Sequence, residues 1–201
     1  MENNYFFVDG SSLLSDVETI KKRTAFHSKK LNLFLFVRSF LDSRLRQLHN
    51  GSYKRFVLYF ANNETRIKTT LILPEFYKPH EVEDVYVKYC GKKVKGGASF
   101  DKWIAQNKPP KSVLERLHRS EKAVDTQICC DALQLAGLGK LDRLFLYTND
   151  YDFVPLCTTL KAMGSNISLF RLEAKNVNKD LVRECDSFSV VPSQELIGLF
   201  K

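Results

Sequence analysis

Apolar positions recur along the chain with two different periods. Residues 5–8, "YFFV", form an unbroken apolar run that ends on Asp9-Gly10, which predicts a buried strand feeding a loop. Within residues 31–48, Leu33, Phe36, Val37, Phe40, Leu41, Leu45 and Leu48 fall on one helical stripe. After the turn at Asn50-Gly51, "YKRFVLYFAN" from Tyr53 reads as a second strand. Strand, helix, strand is the grammar of a parallel sheet.

The middle of the chain is less regular. Residues 84–90, "DVYVKYC", alternate like a strand, but the segment around 92–119 is basic and broken by Gly96-Gly97 and Pro109-Pro110. From Lys122 the grammar returns. A helix over "KAVDTQICCDALQLAGLG" precedes the strand "RLFLYT", and the helix "FVPLCTTLKAMG" precedes the strand "NISLFRL". A short helix near 175–183, the strand "SFSVV" and a terminal helix "SQELIGLF" follow. The expected fold is therefore α/β, a mostly parallel central sheet flanked by helices.

Composition narrows the class. With 201 residues, 44% of them hydrophobic and 27% charged, the chain can bury a full core, and residues 1–201 are expected to form one domain carrying the basic insertion. Thirty-one Lys and Arg against 23 Asp and Glu leave a formal charge of +8, which favours a polyanionic partner such as nucleic acid. Five cysteines without a CxxC spacing argue against a disulfide framework or zinc knuckle and for a reducing cytoplasm. The four histidines are scattered, so a His-rich metal site has little support. No apolar run approaches the ~18 residues of a spanning helix, and the first residues lack the pattern of a secretory leader. Neither membrane insertion nor export is expected.

Ligands of an open parallel α/β sheet bind beyond the carboxyl ends of its strands, and that rule organises the acidic residues. Asp9 follows the first strand, Asp150 and Asp152 follow "RLFLYT", and Asp125 lies in the first turn of the helix before it. Converging carboxylates repel unless a cation or raised pKa values relieve them. Hard oxygen donors suit Mg²⁺ or Mn²⁺. Each residue also has a structural reading: Asp9, Ser11 or Ser12 could cap a helix begun by "DGSSLL", and Asp150 or Asp152 could cap the helix near Phe153, with Asp152 able to serve as both cap and ligand. Asp125 suits a helix N-terminus by its charge alone. Asp131 lies on a mostly apolar stripe, so it either supports a site or pairs with a lysine or arginine.

Three motifs together resemble the NYN domain family, which has a PIN-like fold. They are "YFFVDGSSL", the Lys-x-x-Asp helix "KAVDTQICCDALQLA" beginning at Lys122, and "LFLYTNDYDFVPLCTTLKAMGSNISLF". The last is the most specific, because a strand, two carboxylates, Phe153, Pro155, Leu156 and Gly164 fall in order. The resemblance implies a parallel sheet flanked by helices whose acidic residues bind Mg²⁺ or Mn²⁺ to cut RNA. By motif matching the catalytic residues would be Asp9, Asp125, Asp150 and Asp152, with Asp9, Asp125 and Asp150 on the metal, and Ser12, Lys122, Asp131 and Asn149 supporting them or positioning substrate. Where the family usually has Asn, three residues after the first aspartate, this chain has Ser12, a shorter side chain that offers a hydroxyl instead of an amide.

The insertion around 92–119 matches no family motif. Its physics points to phosphate contacts from Lys92, Lys93, Lys95, Lys102, Lys108 and Lys111, with Trp103 either stacking on a base or buried in the core. The sequence thus reads as a cytoplasmic, metal-dependent ribonuclease, with RNA as partner, no membrane, and a homo-oligomer left open. A second reading is a binding or regulatory module on the same fold with turnover weakened or lost, for which Ser12 is the clue. A phosphatase of the Asp-x-Asp kind fails, because Asp9 is followed by Gly10-Ser11 and the second carboxylate is missing.

Overall fold

The computed structural model describes residues 2–23, 26–40, 53–62, 64–72, 85–93, 106, 121–172, 177–191, 195 and 197–201. In chain order the elements are β1 (Asn4–Asp9), α1 (Gly10–Arg23), β2 (Leu31–Asn32), α2 (Leu33–Phe40), β3 (Tyr53–Phe60), α3 (Ile67–Thr70), β4 (Leu71–Ile72), β5 (Val85–Tyr89), β6 (Lys92–Lys93) and β7 (Glu121–Lys122). Then follow α4 (Val124–Gly137), β8 (Arg143–Tyr147), a 3₁₀ turn (Tyr151–Phe153), α5 (Val154–Ala162), β9 (Asn166–Arg171), α6 (Lys179–Glu184), β10 (Ser187–Val190) and a 3₁₀ turn (Ile197–Leu199).

Six strands form the central sheet in the order β10-β9-β8-β1-β3-β5. Every neighbouring pair in it is parallel. A parallel sheet needs helices on both faces, so its strands are apolar on both sides. The burial confirms this for β1, where all six residues are buried. Phe6 and Val8 face α1 and α2 in one core layer, while Tyr5 and Phe7 face α4, α5 and α6 in the other. On the first face Phe6 stacks on Phe56 of β3 with ring centroids 4.5 Å apart and on Phe145 of β8 at 6.1 Å. These rings lie in register across three strands, so Phe6→Ala would open a cavity at the centre of the sheet, at a cost of roughly 3–5 kcal/mol.

The loop expected after β1 is instead the start of a helix. Leu13, Leu14, Val17 and Ile20 are all buried at helical spacing, and packing that stripe outweighs the weak helix propensity of Gly10-Ser11-Ser12. Gly10 is required there by close approach: a Cβ would lie 2.4 Å from the carbonyl oxygen of Tyr59 and 2.2 Å from the Phe60 ring. The helix expected over 31–48 opens with the two-residue strand β2 and becomes helical at Leu33; residues 41–50 lie outside the described set.

Strand β1 is the switch point of the sheet. The chain runs from β1 to β3 and β5 on one side, and β8, β9 and β10 fill the other. The crevice at such a point, beyond the carboxyl ends of β1 and β8, is where a ligand of this architecture binds.

Candidate active site

Asp9 ends β1 and is 2% exposed. Its Oδ1 accepts the backbone N–H of Ser11 at 2.9 Å, the interaction of a helix N-cap. Its Oδ2 accepts the hydroxyls of Ser12 at 2.6 Å and of Thr148 at 3.1 Å. Capping and placement at a strand end therefore coincide in one residue.

Thr148, fully buried just past β8, joins the two candidate segments. It donates to Asp9 and accepts the backbone N–H of Asp150 at 3.1 Å. Ser12 makes a second link, since its Oγ also accepts the backbone N–H of Asn149 at 3.1 Å. The side-chain oxygen of Asn149 accepts the N–H of Asn178 at 3.0 Å, and Asn178 caps α6. Asp9, Ser12, Asn149 and Asp150 thus belong to one hydrogen-bonded unit.

Asp150 is exposed and is the N-cap of the 3₁₀ turn, its Oδ1 accepting the N–H of Asp152 at 3.0 Å. Of the two caps expected, Asp150 or Asp152, the structure has Asp150, because the chain turns through Tyr151–Phe153 before α5 begins. Asp152 is exposed within that turn. Pro155 occupies the first turn of α5, where its missing N–H costs nothing.

Asp125 is half-buried in the first turn of α4. Six residues further on, Asp131 touches Tyr59 at the carboxyl end of β3, and Leu135 lies near Tyr5 at the opposite end of the strands. Helix α4 therefore runs from the carboxyl ends toward the amino ends, and at 1.5 Å per residue Asp125 lies about 9 Å beyond the level of Asp131 along the helix. The residue before α4, Ala123, has φ 99°, a left-handed conformation that costs a residue with a Cβ about 1–3 kcal/mol. The Lys122 backbone lies in β7, whose antiparallel partner is β6, with Lys92 opposite Lys122 and Lys93 opposite Glu121. The basic insertion thus starts and returns beside the entry to α4. Lys95, Lys102, Trp103, Lys108 and Lys111 lie outside the described residues.

Asp131 belongs to a separate network. It accepts from Tyr59 Oη at 2.7 Å, Gln127 Nε2 at 2.8 Å and Lys88 Nζ at 2.5 Å. Burial alone would raise its pKa, but the bonds from Lys88, Tyr59 and Gln127 outweigh it and hold the carboxyl below its ordinary value. Burial, followed by the bond to Asp131, pushes the Tyr59 phenol far above its usual pKa, so it remains a donor.

Sequence reasoning passed over the network beneath the site. Asp16 of α1 and Arg171 of β9 form an ion pair with side chains 5% and 4% exposed. Tyr147 donates its hydroxyl to Asp16 Oδ2 at 2.5 Å and accepts the N–H of Leu172 at 3.1 Å. Arg171 also donates to the carbonyl of Thr148 at 3.4 Å, so the pair braces the residue that joins Asp9 to Asp150. Burial would lower the Arg171 pKa, but the bond to Asp16 more than reverses this. The available signal was a carboxylate on the apolar stripe of α1, the same argument that singled out Asp131.

The donors at the strand ends are carboxylate and hydroxyl oxygens, which suit a hard divalent cation. Among the described residues no group of three or more His, Cys, Asp or Glu side chains could hold a metal ion. That arrangement fits Mg²⁺, which is usually held by one or two carboxylates, several waters and the phosphates of a substrate instead of a cage of protein ligands.

A doubly covered parallel sheet with carboxylates at its switch point defines a PIN-like α/β protein. The chain belongs to the NYN domain family, a nuclease-like family whose match spans residues 59–192. Asp125, Asp150 and Asp152 fall within that span, and the sheet brings Asp9, which precedes it, alongside. The fold is also similar to the crystal structure of VPA0982, a protein of unknown function from Vibrio parahaemolyticus, with a TM-score of 0.50 and 15% identity over 96% of this chain and 94% of that one. A search of curated proteins finds no significant match. No described helix is long and apolar enough to cross a membrane.

Proposed function

We propose that the chain is a ribonuclease that hydrolyses RNA phosphodiester bonds at the carboxyl ends of β1 and β8. The observation that carries this reading is the Thr148 bridge, which holds Asp9 and Asp150 in a common hydrogen-bonded unit at the switch point of an NYN-family sheet. Asp9 and Asp150 would hold a divalent ion, Mg²⁺ or Mn²⁺, while Asp125, expected from the motif as a third ligand, would act with Asp152 through water, since no three carboxylates of the described residues are grouped to share one ion. When bound, such an ion supplies charge neutralisation for the phosphate and lowers the pKa of water.

The chain's own residues do the positioning. Ser11, Ser12 and Thr148 donate to Asp9 and hold it in a single orientation. The Asp150 carboxylate, exposed at the turn, faces arriving substrate. Hydrolysis adds water across one P–O bond: the water oxygen bonds to phosphorus, the bond to one ribose oxygen breaks, and that oxygen takes a proton. We read residues 1–201 as one cytoplasmic domain whose insertion at 92–119 holds the RNA backbone.

A second reading has its own support. Asp9 is 2% exposed and already accepts three hydrogen bonds, which favours a binding module that keeps the fold with weakened turnover. Labelled single-stranded RNA, duplex RNA and DNA incubated with Mn²⁺, Mg²⁺ or EDTA separate the two. Metal-dependent RNA cleavage that Asp150→Asn abolishes supports the nuclease. RNA binding without cleavage by the wild type supports the module.

A further inference from the structure

A cleft of about 180 Å³ lies on the α4 side of β3 and β5. Its floor follows from strand register. Tyr5 is opposite Arg55, Phe7 is opposite Val57 and then Tyr86, and Asp9 is opposite Tyr59 and then Lys88. The row that closes the cleft at the carboxyl end of the sheet is therefore the row that contains Asp9. From Arg55 to Tyr59 the floor runs four residues, about 13 Å.

The lining alternates charge and aromatic surface. Tyr86 on the edge strand is 45% exposed, with the Arg55 guanidinium 5.3 Å from its ring centroid. Lys88, its side chain 45% exposed, lies 5.7 Å from the Tyr59 ring centroid. Lys88 and the hydroxyl of Tyr59 both bond to Asp131, so the one carboxylate of the lining is neutralised in place. Arg55 keeps its charge toward solvent. Aromatic faces interleaved with cations along a groove are the physical signature of single-stranded nucleic acid binding, where bases stack and phosphates meet the cations. A duplex keeps its base faces in its own stack and has none to offer Tyr86.

We propose that this cleft binds single-stranded RNA, a base stacking on Tyr86 and a flanking phosphate pairing with Arg55, so that the strand leads toward Asp9. The proposal rests on the ribonuclease reading and assigns its substrate class: single-stranded RNA running along β3 and β5. With Lys88 and Asp131 paired, the Arg55 guanidinium leaves the lining net cationic, and together with the +8 charge of the chain this favours a polyanion.

The test is binding without cleavage. Fluorescence anisotropy of a labelled single-stranded RNA and of the matching duplex is measured in EDTA for the full chain and for Tyr86→Ala, Tyr86→Phe and Arg55→Ser. Single-stranded RNA is expected to bind more tightly than duplex. Tyr86→Ala should weaken it roughly 5- to 150-fold, the range for loss of one stacked base, and Tyr86→Phe should stay within about twofold of the wild type. Arg55→Ser should lower the slope of log affinity against log salt by up to about 0.7. The proposal is overturned if the wild type does not bind the RNA, if Tyr86→Ala and Arg55→Ser bind like the wild type, or if duplex binds equally well. Displacement of the RNA by poly-glutamate at equal charge overturns it in favour of an acidic protein partner. Because metal is absent, Tyr86-dependent binding by a protein that fails to cleave in Mn²⁺ removes the nuclease reading and leaves the cleft.

Discussion

Ser12 donates its hydroxyl to Asp9 Oδ2 at 2.6 Å. Ser12 Oγ in turn accepts the backbone N–H of Asn149, so one short side chain ties the end of β1 to the residues after β8. Ser12→Ala should remove both bonds. A hydrogen bond to a charged group contributes roughly 1.5–3 kcal/mol, and urea denaturation should show a loss in that range, together with slower RNA cleavage. Equal stability of the two proteins would show that the link carries no energy.

The cap at Asp150 gives a prediction that separates charge from shape. Millimolar Mn²⁺ or Mg²⁺ should raise the melting temperature, because an ion that binds only the folded state stabilises it. Asn caps as well as Asp, so Asp150→Asn should keep the metal-free melting temperature and lose most of the rise. Asp150→Ala should lose both, the cap being worth about 0.5–2 kcal/mol. Asp152→Ala should show no cap penalty. A wild-type melting curve unmoved by divalent ions would remove Asp150 as a ligand and favour the binding module.

The ion pair of Asp16 and Arg171 is buried, and removing one partner strands the other. Asp16→Leu or Arg171→Met alone should cost roughly 3–5 kcal/mol, while the double variant should cost much less than the sum, since no charge is left behind. Chemical denaturation of the four proteins in a double-mutant cycle measures this. Additive losses would mean that the two side chains do not act as a pair.

Asp131 contributes a pH dependence with a definite sign. Its pKa is lowered in the folded state, so its stabilisation is complete above the unfolded value, about 3.9, and is lost as pH falls through the folded value. Melting temperature followed from pH 6 downward should fall on the acid side in the wild type and fall less steeply in Asp131→Asn. Parallel curves would show that the bonds from Lys88, Tyr59 and Gln127 do not favour the charged form.

How much of this was legible beforehand differs from element to element. The strands β1, β3, β8 and β9 could be read from the sequence because a strand buried on both faces must be apolar along its length, and "YFFV" or "LFLY" has few other uses. Their parallel pairing followed from alternation with helices. The carboxylates at the strand ends were legible for the same reason: an aspartate directly after such a run stands where an open sheet binds its ligands. Helix α1 was obscured because Gly10-Ser11-Ser12 carries turn-like propensity, and only packing of Leu13, Leu14, Val17 and Ile20 against β1 and β3 overrides it.

Partners, in contrast, were decided by the tertiary structure alone. Nothing local states that Thr148 reaches Asp9 across 139 positions, that Arg171 closes on Asp16 across 155, or that Asp131 is held by Tyr59 and Lys88 and stands apart from the carboxylates at the strand ends. Sequence determines which residues must be buried or must cap, because burial and capping depend on local pattern. Which donor meets which carboxylate depends on strand order, and the order β10-β9-β8-β1-β3-β5 exists only once six distant segments have paired.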